Sequence, residues 1–158
     1  MADTKFTVDK EKLEVKTERL MNASPERLFE AHTSAEQIPK WWGPSSIATV
    51  VDKLDIQVGG AWRFVQTDPD GKVYGFSGVF KEIDEPHKLV STFEYEPMPG
   101  HVLVQTVTFE EQSDGTTKVT TTAHYDNIDD LEGMVSMGME SGQRESMDRL
   151  SKLVEISN

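Results

Sequence analysis

Apolar and polar residues alternate in short runs along most of this chain, and the spacing turns helical only near its end. Leu13, Val15, Thr17 and Arg19 alternate with Glu14, Lys16 and Glu18, so residues 13–21 read as a strand. The residues before it, about 1–12, are polar and are expected to be loosely ordered. Ser24-Pro25 supplies a helix N-cap followed by proline at the first helical position. The short helix predicted there places Leu28, Phe29 and His32 on one side. Ser34 and Gln37 read as a capping box for a second short helix, expected to end before Pro39.

After Gly43-Pro44, six runs rich in Val, Thr, Phe and Tyr read as strands, at about 47–57, 61–67, 73–83, 88–96, 102–111 and 116–125. Turn chemistry separates them: Gly59-Gly60, Asp68-Pro69-Asp70-Gly71, Glu85-Pro86-His87, Pro97-Met98-Pro99-Gly100 and Asp114-Gly115. Links this short join antiparallel neighbours, because a parallel crossover needs a dozen or more residues. The 73–83 run carries bulk on both faces, and its inner face stays unassigned.

The closing stretch predicts one long helix. Asn127 caps it, and Asp129, Asp130 and Glu132 suit the positive end of its dipole, with Arg149 and Lys152 at the other end. Ile128, Leu131, Val135, Met139, Leu150 and Leu153 fall on one stripe. A helix of about 28 residues spans roughly 42 Å. Gly138, Gly142 and Ser146 lie within the stripe at four-residue steps. Each glycine costs about 1 kcal/mol relative to alanine in a helix interior, so the pair needs a reason. Either the helix backbone approaches the sheet closely, or space is kept beneath it for a ligand; the second is the expectation. The element order gives an α+β fold, a curved antiparallel sheet of about seven strands around a long C-terminal helix, with two short helices after the first strand.

Composition narrows the functions. At 158 residues the chain reads as one domain able to bury roughly 70% of its unfolded surface. It has no cysteine, which excludes disulfides and thiolate metal sites and fits a cytoplasmic protein. The opening Met1-Ala2-Asp3-Thr4-Lys5 leads into no apolar run, so neither a signal peptide nor a membrane span is expected. A net charge of −12 repels phosphate backbones and anionic lipid, so neither nucleic acid nor membrane is the expected partner.

Several segments taken in order carry a family resemblance: Asn22-Ala23-Ser24-Pro25, Trp41-Trp42-Gly43-Pro44, Val58-Gly59-Gly60-Ala61-Trp62-Arg63-Phe64, Gly78-Val79-Phe80-Lys81-Glu82-Ile83, Pro86-His87-Lys88-Leu89-Val90 and Met147-Asp148-Arg149-Leu150. From Phe6 to Val154 the chain resembles the START-like (SRPBCC) superfamily. Within it, it is similar to the branch of homologues of the heat-shock chaperone ATPase activator. The resemblance implies a single START-like domain over 1–158, with a helix-grip (START- or Bet v-like) fold and a hydrophobic cavity between helix and sheet. It implies no single activity, because relatives bind lipids and hormones, cyclise polyketides or assist a chaperone. Gln57-Val58 stands where the family commonly has Arg-Pro, so no role for a cation carries over to that position.

The candidate site is that implied cavity. Phe64, Phe93, Tyr95, Val107 and Phe109 are its expected wall, with Trp41 and Phe76 beside them and Gly138, Gly142 and Ser146 above. The expected volume is about 300–1,000 Å³. Of the tryptophan pair, Trp42 is assigned to the core and Trp41 to the portal. Gly59-Gly60 lacks the spacing of a phosphate loop and leads into a strand, so it reads as a tight turn or bulge. His32, His87, His101 and His124 are scattered, without the i, i+4 partner or nearby thiolate of a zinc site, so no metal or cofactor is expected. There is no Gly-x-Ser-x-Gly elbow, and the adjacent pairs Glu110-Glu111 and Asp129-Asp130 do not face each other as a dyad.

No catalytic residue is assigned. A binding module for a small apolar or amphipathic molecule, monomeric or homodimeric, is the leading reading. A cavity enzyme, a cyclase, hydratase or hydrolase, would need Tyr95, Tyr125 or Glu82 as its acid or base; Glu82 reads first as a salt-bridge residue. A co-chaperone is the third reading. Activator proteins use a separate N-terminal chaperone-binding domain, and only a dozen residues precede the first strand here. The expectation is therefore that this chain alone does not stimulate the chaperone ATPase.

Overall fold

A computed structural model of the chain describes residues 3–156. The strands are β1 (Lys5–Asp9), β2 (Glu14–Met21), β3 (Ala48–Leu54), β4 (Ala61–Thr67), β5 (Val73–Asp84), β6 (Lys88–Tyr95), β7 (Leu103–Glu111) and β8 (Thr117–His124). The helices are α1 (Pro25–Thr33), α2 (Ile128–Ser136) and α3 (Met139–Ile156), with a 3-10 turn at Ile38–Lys40. All eight strands join one antiparallel sheet in the order β1-β2-β8-β7-β6-β5-β4-β3. The short links make β3 to β8 a meander. The α1 crossing carries the chain from β2 to the far edge, which leaves β2 free to pair with β8. The sheet curves around the helices in the helix-grip arrangement.

Three sequence expectations are corrected here. Residues 5–9 are not loose: β1 pairs with β2 in register from Lys5↔Glu18 to Asp9↔Glu14, giving eight strands instead of seven, while Met1 and Ala2 lie outside the described residues. With Phe6 and Val8 as its only large apolar residues, β1 carries too little alternation to be seen alone. They pack against a second core cluster that includes Val15, Leu103 and Tyr125. The second short helix is a single 3-10 turn that contains Pro39, because proline satisfies the first positions of a helical turn, where no N–H bond is needed. Ser34 does not cap it; its Oγ accepts from the Gln37 N–H at 3.3 Å in the turn that precedes it. The Gln37 side chain turns away and accepts instead from Arg27 Nη1 at 2.5 Å.

The third correction is the long helix, which is broken. Gly138 takes φ +88°, a left-handed conformation that ends α2 and that glycine adopts without steric cost. The Met137 and Gly138 N–H groups return to Met134 O and Val135 O at 3.2 and 3.3 Å. The predicted caps of both α1 and α2 are present: Ser24 Oγ accepts from the Arg27 N–H at 3.1 Å, and Asn127 Oδ1 from the Asp130 N–H at 2.8 Å.

The main core lies between the concave face and the helices α1 and α3. Met21, Leu28, Phe29, Phe109, Leu150 and Val154 are buried in it. No helix among the described residues is long and apolar enough to cross a membrane.

Candidate functional site

Period-2 alternation decides which strand residues face the helices. On β4 these are Trp62, Phe64 and Gln66, all buried, between the half-exposed Arg63 and Val65. On β5 they are Tyr74, Phe76 and Phe80, while Val73 and Val79 are 57% and 41% exposed. That settles the face left open by the sequence. A register shift between Phe80 and Glu82 then brings Ile83 back inward, so of the bulk on the other face only Val73 and Val79 stay outside. Beyond the bulge Glu82 is exposed and pairs with Lys88 Nζ at 3.3 Å.

Between this face and the α2–α3 junction lies a cavity of about 440 Å³. Phe64, Phe76, Phe93, Tyr95 and Val107 line it from the sheet. Gly138, Gly142 and Ser146 line it from above, and Trp41 lies in its wall. Phe109 does not belong to it. That ring is 2% exposed and packs against Phe29 and His32, with centroids 6.1 and 5.0 Å away. It sits on the correct face of β7 but beyond the cavity's end, where α1 covers the sheet. Alternation identifies a face but not how far along it a cavity extends.

The tryptophan pair is the reverse of the assignment. Trp41 is buried, its Nε1–H donating to Ala31 O at 2.9 Å and its ring 4.6 Å from His32. Trp42 is half-buried and meets Phe64 and Phe76 edge-on at 5.1 Å each, where the cavity wall reaches the surface. The 3-10 turn sets this order by directing Trp41 back under α1.

Three residues of α3 hold the loop after Trp42. Ser146 Oγ accepts from the Gly43 N–H at 2.9 Å, and Arg149 Nη1 donates to Gly43 O at 2.6 Å. Glu145 Oε2 accepts from the Ser45 N–H and Oγ–H at 2.8 and 2.9 Å, and the backbone bond above all holds its carboxyl below the usual range. Ser146 is therefore small for two reasons: it gives room above the sheet and anchors the loop. Arg149, expected to serve the helix dipole, serves this loop.

The cavity's electrostatics are neutral. No Asp, Glu, Lys or Arg is among the described residues that line it. His32 is its one imidazole. Burial pushes the His32 pKa down to about 4, outweighing the bond from its Nδ1 to Leu28 O at 2.8 Å. Tyr125, at the other end, is pushed up to about 12 by burial, and its hydroxyl lies 3.5 Å from Met139 Sδ. No group of three or more potential metal ligands occurs among the described residues.

Sequence reasoning missed Trp62, Tyr74, Phe80, Leu103, Ser91, Gln105 and Gln143, all of which line the cavity. The signal was present: Ser91 is two residues from Phe93, and Gln105 two from Val107. Choosing only apolar residues for the wall discarded the polar ones.

The family model described as Activator of Hsp90 ATPase homolog 1-like protein matches residues 22–155. No curated protein matches the chain. Among solved structures, protein Ms6760 from Mycobacterium smegmatis is 25% identical, with a TM-score of 0.86 and 96% of each chain covered. A protein from Arthrobacter aurescens is 24% identical, also with a TM-score of 0.86, over 95% of this chain and 90% of that one. An HSP90 activator from Plasmodium falciparum shares the fold over 72% of this chain and 73% of its own, at 24% identity and a TM-score of 0.56. With its matched span running from the end of β2 through nearly all of α3, the chain belongs to the Activator of Hsp90 ATPase homolog 1-like family.

Proposed function

We propose that this protein binds a small apolar or amphipathic molecule in the cavity between the sheet and α3. The observation that carries the reading is Gly142. A Cβ placed on it would meet no atom within 4 Å apart from its immediate chain neighbours and the helix's own backbone. Of the two reasons for small residues in the closing helix, close approach to the sheet therefore does not apply. Space does, and it opens onto a wall of Phe64, Phe76 and Phe93. A helix that gives up about 1 kcal/mol of propensity and leaves an aromatic wall uncovered is built to admit something.

The protonation states of His32 and Tyr125 speak for binding over catalysis by those two groups. With pKa values of about 4 and about 12, His32 and Tyr125 are both neutral near pH 7 and poorly matched to proton transfer there. Glu82 points to solvent, outside the cavity.

Native mass spectrometry of the purified protein tests the reading. A retained small molecule, lost in Gly142→Leu, is the expected result. Protein that carries no added mass and binds no apolar probe in solution overturns it.

A further inference from the structure

Within the apolar wall, two polar side chains stand next to each other. Ser91 on β6 is directly opposite Gln105 on β7. The row continues on either side with apolar residues: Phe80 opposite Ser91, Ala123 opposite Gln105, and Val15 opposite Ala123. Apolar pairs flank it along the strands too, Leu89 with Val107 on one side and Phe93 with Leu103 on the other. All six of these β6 and β7 residues line the cavity. Neither the Ser91 nor the Gln105 side chain hydrogen-bonds another described residue, and neither has a polar atom sealed from the cavity. Side chains directly opposite in an antiparallel pair have Cβ atoms about 4.5–5.5 Å apart, so hydroxyl and amide act on one spot.

We propose that this pair reads an uncharged hydrogen-bonding group on the ligand, an amide, hydroxyl or carbonyl set between apolar parts. The inference rests on the cavity-binding reading. Serine and glutamine each offer donor and acceptor, matching a group that is itself both. A wholly apolar ligand would strip water from Ser91 and Gln105 and leave them unpaired, which is costly. A carboxylate or an ammonium would enter a space where no described lining residue carries a countercharge and the His32 ring is neutral. The selected ligand is thus a neutral amphiphile.

Three probes with one tail and different heads, decanamide, decanoate and decylamine, separate these cases by tryptophan fluorescence and calorimetry at about pH 7. Decanamide is expected to bind at least about 100-fold more tightly than either ion. Gln105→Leu is expected to weaken decanamide about tenfold, and Ser91→Ala by less, with unchanged melting temperatures in the ligand-free state. Equal binding of decanoate or decylamine overturns the inference while leaving the cavity reading in place. So does unchanged decanamide affinity in both folded variants. If none of the three probes binds, the cavity reading falls and this inference with it.

Discussion

The two ends of α3 share one sheet and differ in what they turn toward it. Toward the C-terminus, Leu150 and Val154 are both 0% exposed and fill the space above Met21, Phe29 and Phe109, while the buried Met147 marks the cavity's edge. Toward the N-terminus the corresponding positions are Gly142, Gln143 and Ser146, and the space beneath them stays open. The strands below show the same alternation at both ends. Residue size along α3, together with α1 covering the sheet at the filled end, therefore separates core from cavity.

The first way to break this comparison is at the tryptophan pair, which straddles the boundary. Trp41→Ala removes a buried ring and its bond to Ala31 O, and should cost about 3–5 kcal/mol in denaturant unfolding. Trp42→Ala, at the half-buried edge, should cost clearly less and should weaken ligand binding. Equal losses would mean that the boundary does not run between them. Deeper in the filled end, Leu150→Ala should cost about 2–5 kcal/mol. A cost below 1 kcal/mol there, on the order of a surface substitution, would show that the C-terminal end of α3 is not the packed half.

A smaller effect concerns His32, which lies where the filled and open regions meet. Its folded pKa of about 4 lies below its unfolded value of about 6.5, so the unfolded chain binds the proton more readily. Its contribution is fully present above about pH 6.5 and is lost as the pH falls toward 4. Carboxylates held low by partners, such as Glu18 beside Lys118 and Glu96 beside Arg63, keep their contribution above about pH 4.5 and lose it only as the pH falls below that value. Stability should fall by about 1–3 kcal/mol between pH 6.5 and 4.5, and His32→Gln should flatten that slope. An unchanged slope in the variant would show that His32 is not held neutral by its surroundings.

The sequence announced the fold more fully than the site, and particular residues show why. Turn chemistry at Gly59-Gly60 and Asp114-Gly115 bounded β4 and β8 closely because those signals are local. Gly138 was read as a member of the stripe because composition does not reveal φ; its left-handed backbone, which ends α2, belongs to the fold. The order of Trp41 and Trp42 depended on a single 3-10 turn. Ser91 and Gln105 were passed over because a polar residue on an apolar face is read as noise until a cross-strand partner gives it meaning.

The smallest expected change in stability carries the sharpest test of the comparison. Gly142→Leu places a large side chain on the open half, on the same line of the helix as Leu153 at the filled half. Its Cβ meets open space, and the remaining atoms extend into a cavity of about 440 Å³. Replacing a helical glycine recovers up to about 1 kcal/mol of propensity, so ligand-free stability should hold or rise slightly in thermal unfolding. Binding should be lost, because the new side chain occupies the space. If instead the helix backbone rested on the sheet, the same change would overpack the core and cost roughly 1–3 kcal/mol. A clear fall in the melting temperature of the ligand-free variant would erase the difference between the two halves and make the glycines a matter of packing alone.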